Sequence, residues 1–211
     1  MTGSTEIVDE EATAETAAAA ARRGPGRKRD EATRQAILRA AYETLEAEGY
    51  GGFTIEAVAA RSGAAKTTIY RWWPSKGALA IDSFLDLYQR EAPYPRTRSA
   101  SEDLKTQLRL QAKVWGGRYG RLIAGIIAAG QSDATTLELY RQRLVKPRRE
   151  EGRRLLQRGV DNGEFRPDID IEAALDALYG PFYGRLLAWL EPLDPVWAER
   201  LCDTVLRGLM V

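Results

Sequence analysis

Residues 53–79 read FTIEAVAARSGAAKTTIYRWWPSKGAL. Thr54 stands where a hydroxyl can accept from the first turn of a helix, and Ile55, Val58 and Ala59 follow on one face. Arg61-Ser62-Gly63 ends that helix. A second short helix is predicted from about Ala65 to Trp72, and Pro74-Ser75-Lys76 then breaks the chain, with Ser75 capping a longer helix through about Arg90. Ile69, Trp72 and Trp73 are spaced i, i+3, i+4 and can share one buried stripe. Lys66, Thr67, Thr68, Tyr70 and Arg71 fall largely on the other sides. These side chains suit DNA: Lys and Arg for phosphate or guanine, Thr for phosphate or the thymine methyl, Tyr for phosphate. Lys76 opens the next helix, whose free backbone N–H groups also favour an anion.

Upstream, Asp30 can cap a helix carrying Ile37, Leu38, Ala41, Tyr42 and Leu45 at helical spacing, and Gly49 stops it. One longer helix followed by two short ones across a glycine turn describes a three-helix helix-turn-helix unit. Before it, residues 1 to about 27 are Ala-, Glu- and Thr-rich and lead into RRGPGRKR (22–29), the composition of a disordered tail and a basic arm. Arg22, Arg23, Arg27, Lys28 and Arg29 suit an extended arm lying in a minor groove. Charge is segregated accordingly. Residues 1–21 hold five acids and no Lys or Arg, whereas residues 22–79 hold eleven bases against six acids. Only the second segment is built for a polyanion.

Downstream, APYPRTRS at 92–99 is a loop, because Pro93 and Pro95 forbid helix continuation. Five further helices are predicted, at about 101–116, 118–130, 134–161, 170–190 and 195–209. No alternating strand pattern occurs, so the chain is expected to be all-α, with about nine helices. Of its 211 residues, 44% are hydrophobic, enough for a real core. The chain has no histidine and one cysteine, Cys202. Histidine-based triads, histidine metal ligands, sulfur-rich zinc sites and intramolecular disulfides are thereby excluded. No cofactor is called for. No apolar run reaches the roughly 18 residues of a membrane span, and the acidic N-terminus is no secretory signal, so a cytoplasmic protein is expected.

The run AAYETLEAEGYGGFTIEAVAARSGAAKTTIYRWWPSKGALA, 40–80, resembles the DNA-binding domain of TetR/AcrR transcriptional regulators. The resemblance implies backbone phosphate contacts from Thr54, Tyr70 and Lys76. It places Lys66, Thr67, Thr68 and Arg71 at the major groove or its phosphates. Three departures from the family pattern stand out. Ala65 stands where a capping Ser is common, Ala64 replaces a commoner Val, and Trp72-Trp73 replace a His or Tyr followed by Phe. Trp72 is thus core edge by spacing and a phosphate contact by family position.

LVKPRREEGRRLLQRGVDNGEFRPDIDIEAALDALYGPFYGRLL, 144–187, resembles the ligand-sensing domain of one branch of that family. The implied organisation is a tail and arm at 1–27, a DNA-binding domain at 28–80 and a sensing and dimerisation domain at 81–211. The resemblance implies a homodimer through the last two long helices. Ile171, Ala174, Leu175, Leu178, Phe182, Leu186 and Leu187, then Val196, Leu201, Val205 and Leu209, supply apolar stripes for it or for the monomer core. Gly180-Pro181 predicts a kink. Trp115, Tyr119, Tyr140, Phe165, Tyr179, Tyr183 and Trp189 are candidates to line a pocket for an apolar or aromatic ligand, the site residues being Trp115, Tyr119, Tyr140, Tyr179 and Tyr183. The implied function is a dimeric repressor that binds a pseudo-palindromic operator and is released by a small ligand. The helix beginning at Ser75 would be the mechanical link. The alternatives are a ligand-independent DNA-binding regulator and a helical enzyme.

Overall fold

A computed structural model describes residues 25–189 and 191–210, the side chains of residues 25–29, Arg118 and Trp189 excepted. Nine helices account for nearly all of it. The first, α1, runs Pro25–Gly52, with Gly49 at φ 66° breaking its last turn. It starts five residues before the expected Asp30 cap, so Arg27, Lys28 and Arg29 sit on helical rather than extended backbone, a correction to the arm reading. Their side chains, like Arg22 and Arg23, lie outside the described residues. Ile37, Leu38, Ala41 and Leu45 form its buried face as the spacing requires.

Helices α2 (Ile55–Ser62), α3 (Lys66–Trp72) and α4 (Lys76–Glu91) follow. Thr54 Oγ1 accepts from Ala57 N at 3.1 Å and Ser75 Oγ from Ala78 N at 3.1 Å, so both expected caps are made. Gly63, at φ 70°, closes α2 in the left-handed conformation that its missing Cβ permits. Ala65 gives α3 no side-chain cap, in line with its departure from the usual Ser. The first turns of α4 are buried almost all round, from Gly77 to Ile81. Such a helix must be packed on several sides, and α4 is enclosed by α1, α6 and α7.

The remaining helices are α5 (Ala100–Gly116), α6 (Arg118–Gly130), α7, α8 and α9 (Pro195–Leu209). Helix α7 comprises Ala134–Tyr140, a widened π-helical turn at Arg141–Val145, and Lys146–Asp161. Helix α8 comprises Ile171–Tyr183 and ends in a second π-helical stretch, Gly184–Trp189. Pro181 cannot donate to the Ala177 carbonyl, and the widened turns follow directly after it. Residues 92–99 carry no helix, as the two prolines dictate.

Two long-range ties hold the C-terminal half together. Phe165 pairs with Met210 in an isolated antiparallel bridge, and Arg166 N donates to Leu209 O at 2.8 Å. Glu164 receives Ala100 N at 2.8 Å, Ser101 N at 3.1 Å and the Ser99 hydroxyl at 3.0 Å, neutralising the positive end of α5. Burial acts to raise its pKa. The bonds from Ala100, Ser101 and Ser99 outweigh that and bring it down to about 2.

Candidate DNA-reading surface and ligand cleft

Helix α3 is anchored through two residues. Ile69 is fully buried, and Trp73, at its C-terminal cap, donates from Nε1 to Asp82 Oδ2 on α4 at 2.8 Å. Asp82 also receives Arg143 Nη1, from the π turn of α7, at 2.6 Å. Trp72 is only half-buried: it packs edge-on against Trp73 and carries the Arg71 guanidinium 5.0 Å above its ring. It forms the half-buried edge of the stripe that its spacing shares with Ile69 and Trp73.

The opposite face of α3 is open. Lys66, Thr67, Tyr70 and Arg71 are exposed and Thr68 is half-buried. Tyr70 is 50% exposed, a large aromatic surface for a soluble face. Lys66 Nζ meets Glu56 of α2 at 2.6 Å, and Arg71 meets Asp30 of α1 at 3.3 Å. The hydrogen bond from Lys66 holds the Glu56 carboxyl below its usual range. All four of these charged groups are more than half exposed, so solvent screens both pairs and a polyanion can replace the acids. Lys76 lies at the Phe53 carbonyl, 3.4 Å away, with its ammonium 4.9 Å from the Tyr50 ring centroid. Thr54, Lys76 and the α3 face thus stand on one scaffold: two capped helix starts with α3 between them.

Tyr50 also marks a joint with the C-terminal half. Its hydroxyl bonds Thr136 of α7, and a Cβ at Gly125 of α6 would lie 3.0 Å from Tyr50 Cβ. A Cβ at Gly77 of α4 would come within 2.5 Å of Thr136 Oγ1. Close approach of α4, α6 and α7 at this point requires those glycines.

A cleft in the C-terminal half has an inner space of about 80 Å³, opening to about 480 Å³ with its mouth. Helix α4 contributes Tyr88 and the following loop Tyr94; α5 contributes Gln111 and Trp115; α8 contributes Tyr179 and Tyr183. The π turn supplies Leu144 and Val145, and α7 adds Arg148 and Arg149. Three of the five candidate residues, Trp115, Tyr179 and Tyr183, therefore line it. Tyr140 stands behind the wall, its hydroxyl 2.9 Å from that of Tyr183. Tyr119 faces elsewhere, toward the Tyr42 ring at 5.4 Å and Glu91 at 3.4 Å. Phe165 packs at the far end against Gly159, and the Trp189 side chain lies outside the described residues.

Residue type alone missed the polar part. Arg148 stacks on Tyr88 and Tyr94, its guanidinium carbon 4.5 and 4.4 Å from the ring centroids. Its Nη2 donates to Ala92 O at 2.9 Å and its Nη1 to Glu151 at 3.3 Å. Tyr88 donates to Gln111 Oε1 at 2.8 Å, which also takes Gln107 Nε2 at 3.1 Å. Tyr94 and Tyr179 share a bond at 2.8 Å, and Tyr179 reaches Gln107 Oε1 at 2.9 Å. Burial raises the pKa of Tyr88, Tyr94, Tyr179 and Tyr183, so these phenols stay neutral. Among the described residues, no group of three or more His, Cys, Asp or Glu is placed to hold a metal.

The outward side of α8 and α9 carries Ala173, Ala177, Gly180, Leu187 and Val196. Of the expected stripes, Ala174, Leu175, Leu178 and Phe182 are consumed by the monomer core. Ile171, Leu186, Leu201, Val205 and Leu209 are half-buried, whereas Leu187 and Val196 are 42% and 66% exposed.

Two family models match the chain. One, described as bacterial regulatory proteins of the tetR family, covers residues 37–82; the other, the tetracyclin repressor-like C-terminal domain, covers 94–205. The chain is 38% identical over 184 residues to an uncharacterized HTH-type transcriptional regulator, YdeS, of Bacillus subtilis, covering 87% of this chain and 93% of the relative. It is 30% identical over 186 residues to the DNA-binding transcriptional repressor TetR of Mycobacteroides abscessus, covering 86% and 96%. Its fold superposes on the crystal structure of the TetR family transcription regulator SCO0332 with TM-score 0.75 and 37% identity, over 85% of this chain and 99% of that one.

Proposed function

The chain belongs to the TetR family of transcriptional regulators, and from that premise we propose that it is a ligand-released repressor acting as a homodimer in the cytoplasm. The observation that carries the reading is the division of α3. Ile69 and Trp73 fix it to the body, while Lys66, Thr67, Tyr70 and Arg71 project outward together. A short basic and hydroxyl-rich helix held rigidly by its back is what a major groove accepts. Lys66, Thr67 and Thr68 lie at its N-terminal end and serve base edges. Thr54, Tyr70, Arg71 and Lys76 serve phosphates, with Trp72 offering its ring edge beside them and Arg27, Lys28 and Arg29 extending the basic surface. Residues 28–80 form the DNA-reading domain and 81–211 the sensing domain, with α4 common to both.

Two copies pair through the outward face of α8 and α9. Small residues at 173, 177 and 180 permit close helix approach, and the exposed Leu187 and Val196 gain cover there. The two-fold axis sets paired α3 helices about 34–36 Å apart, one turn of DNA. The cleft takes a largely apolar or aromatic ligand against Trp115, Tyr179 and Tyr183, with Tyr140 behind them. An inner space of about 80 Å³ is below the roughly 300 Å³ of ordinary ligand sites, so occupation must part its walls. Those walls include α4 and the π turn of α7, which Asp82 and Arg143 tie to Trp73. Ligand binding and DNA binding thereby bias the same two-state element. The chain regulates rather than catalyses.

Selection of bound fragments from random DNA tests the reading and reports site symmetry and half-site spacing. Lys66→Ala or Thr67→Ala is expected to relax preference at one or two positions per half-site. Lys76→Ala is expected to weaken binding to all sequences and reduce the salt slope by about one unit. Unchanged preference in both α3 variants would sink the recognition-helix assignment.

A further inference from the structure

We propose that the ligand of this cleft is an organic acid: a flat apolar body bearing a carboxylate, or a comparably compact anionic acceptor, seated at Arg148. The inference rests on the cleft being the ligand site and adds the chemical class of its occupant.

The argument is one of unmet donors. Two side chains that line the cleft each carry a buried N–H with no partner among the described residues, Arg148 Nε and Trp115 Nε1, which an occupant reaches as it parts the walls. Leaving such groups unpaired is costly, and a binding site can recover that cost from its ligand. The acceptors around them are already taken. Gln111 Oε1 receives both Tyr88 and Gln107, and Gln107 Oε1 receives Tyr179. A ligand offering more donors would find little to bind; a ligand offering acceptors finds two vacant N–H groups.

Charge points the same way. The Arg148 side chain is 12% exposed and remains a cation. The acid bonded to it, Glu151, is itself 44% exposed and holds only Nη1, at 3.3 Å. The remaining neighbours are neutral phenols, and the rings of Tyr88 and Tyr94 orient the guanidinium by sandwiching it. Arg149, on the same wall, is answered outside the cleft by Glu172 and Asp176, both at 2.7 Å. Inside, therefore, one preoriented cation lacks a full counter-charge. Trp115, edge-on to Tyr183 with centroids 5.1 Å apart, adds an aromatic wall and the second donor. A cationic ligand would meet repulsion from Arg148, and a neutral one could accept from its Nε but would supply no counter-charge.

Calorimetric titration of the full-length chain with naphthylacetate, naphthylacetamide and naphthylethylamine separates the classes at nearly constant shape. The acid is expected to bind about tenfold more tightly than the amide, with the amine weakest. Arg148→Gln should abolish the preference for the acid. Trp115→Phe, which removes the indole N–H together with two ring carbons, should weaken the acid more than the amine, and stands in if the Arg148 variant does not fold. Equal binding of acid and amide, or a preference that survives Arg148→Gln and Trp115→Phe, would overturn the acid inference and leave the pocket reading standing. Binding of all three that is indifferent to Val145→Trp, which fills the cleft, would place the fault in the pocket reading instead. Failure of all three to bind counts against both.

Discussion

Replacement of Asp82 by Ala removes the acceptor shared by Trp73 at the end of α3 and Arg143 of α7. Trp73 is 1% exposed, and its Nε1 has Asp82 as its hydrogen-bond partner at 2.8 Å. Truncation leaves that donor buried and unpaired, at about 1–3 kcal/mol. Arg143 loses its 2.6 Å partner as well, but at 33% exposed it keeps part of its hydration, so its share is smaller. A total near 2–3 kcal/mol is expected, which for about 150–250 ordered residues lowers Tm by roughly 5–10 °C. Asp82→Asn, which retains an acceptor for Trp73 and loses the charge facing Arg143, should cost about 1 kcal/mol.

Denaturant melts at one fixed protein concentration read these values, because the stability of the proposed dimer would vary with concentration. Operator binding supplies the second readout. Without Asp82, α3 keeps Ile69 but loses its link to α7, so the Ala variant should hold DNA while responding less to ligand. A double-mutant cycle between Trp73→Phe and Arg143→Met isolates the coupling through Asp82. Losses below about 0.5 kcal/mol for both Asp82→Ala and Trp73→Phe would mean that the bridge is not formed in solution, and the proposed route from cleft to reading helix would fall with it.

Two other perturbations address the scaffold. Glu164→Gln should destabilise the chain at neutral pH by about 1–2 kcal/mol once solvent screening is allowed for. The native carboxyl is depressed from 4.5 to about 2, so its contribution is complete above pH 4.5 and fades as pH falls toward 2. The two proteins' unfolding free energies should converge over that window, and a pH-independent difference would contradict the assignment. Gly159→Ala should cost about 1–3 kcal/mol, because its Cβ would lie 2.2 Å from two atoms of the Phe165 ring, itself 1% exposed. An unchanged melting curve would show that Phe165 and its bridge to Met210 yield freely.

The residues that announced themselves in the sequence act over short spans. Thr54, Gly63 and Ser75 each satisfy or release backbone groups within four residues, so cap chemistry alone located α2 and α4. Ile69 and Trp73 were legible from spacing for the same reason. Trp72 was ambiguous because a residue beside the stripe meets core on one edge and solvent on the other. The cleft was harder. Tyr119 has the composition of a pocket residue yet faces Tyr42, since an aromatic side chain does not reveal which helix will pass in front of it. Arg148, in a basic run that reads as a solvated face, becomes the buried cation because Tyr88 and Tyr94 come from 60 and 54 residues upstream. The π turn at Arg141–Val145 left no local mark either.

That turn bears on how the two halves communicate. A π turn rotates the residues after it relative to a regular α-helix, so the two ends of α7 face different neighbours. Before the turn, Thr136 meets Tyr50 and Gly77 beside the DNA-reading unit; within it, Arg143 holds Asp82; after it, Arg148 enters the tyrosine cage. One helix therefore touches Tyr50 and Gly77, the bridge to Trp73 and the cleft in succession. Tyr88 of α4 faces Val145 and Arg148 of α7 across the cleft, so widening the cleft between these two walls means separating α4 from α7. Asp82 and Arg143 resist that separation directly, one on each helix. If opening the cleft weakens DNA binding by some factor, DNA must weaken the occupant's binding by the same factor, as linkage requires.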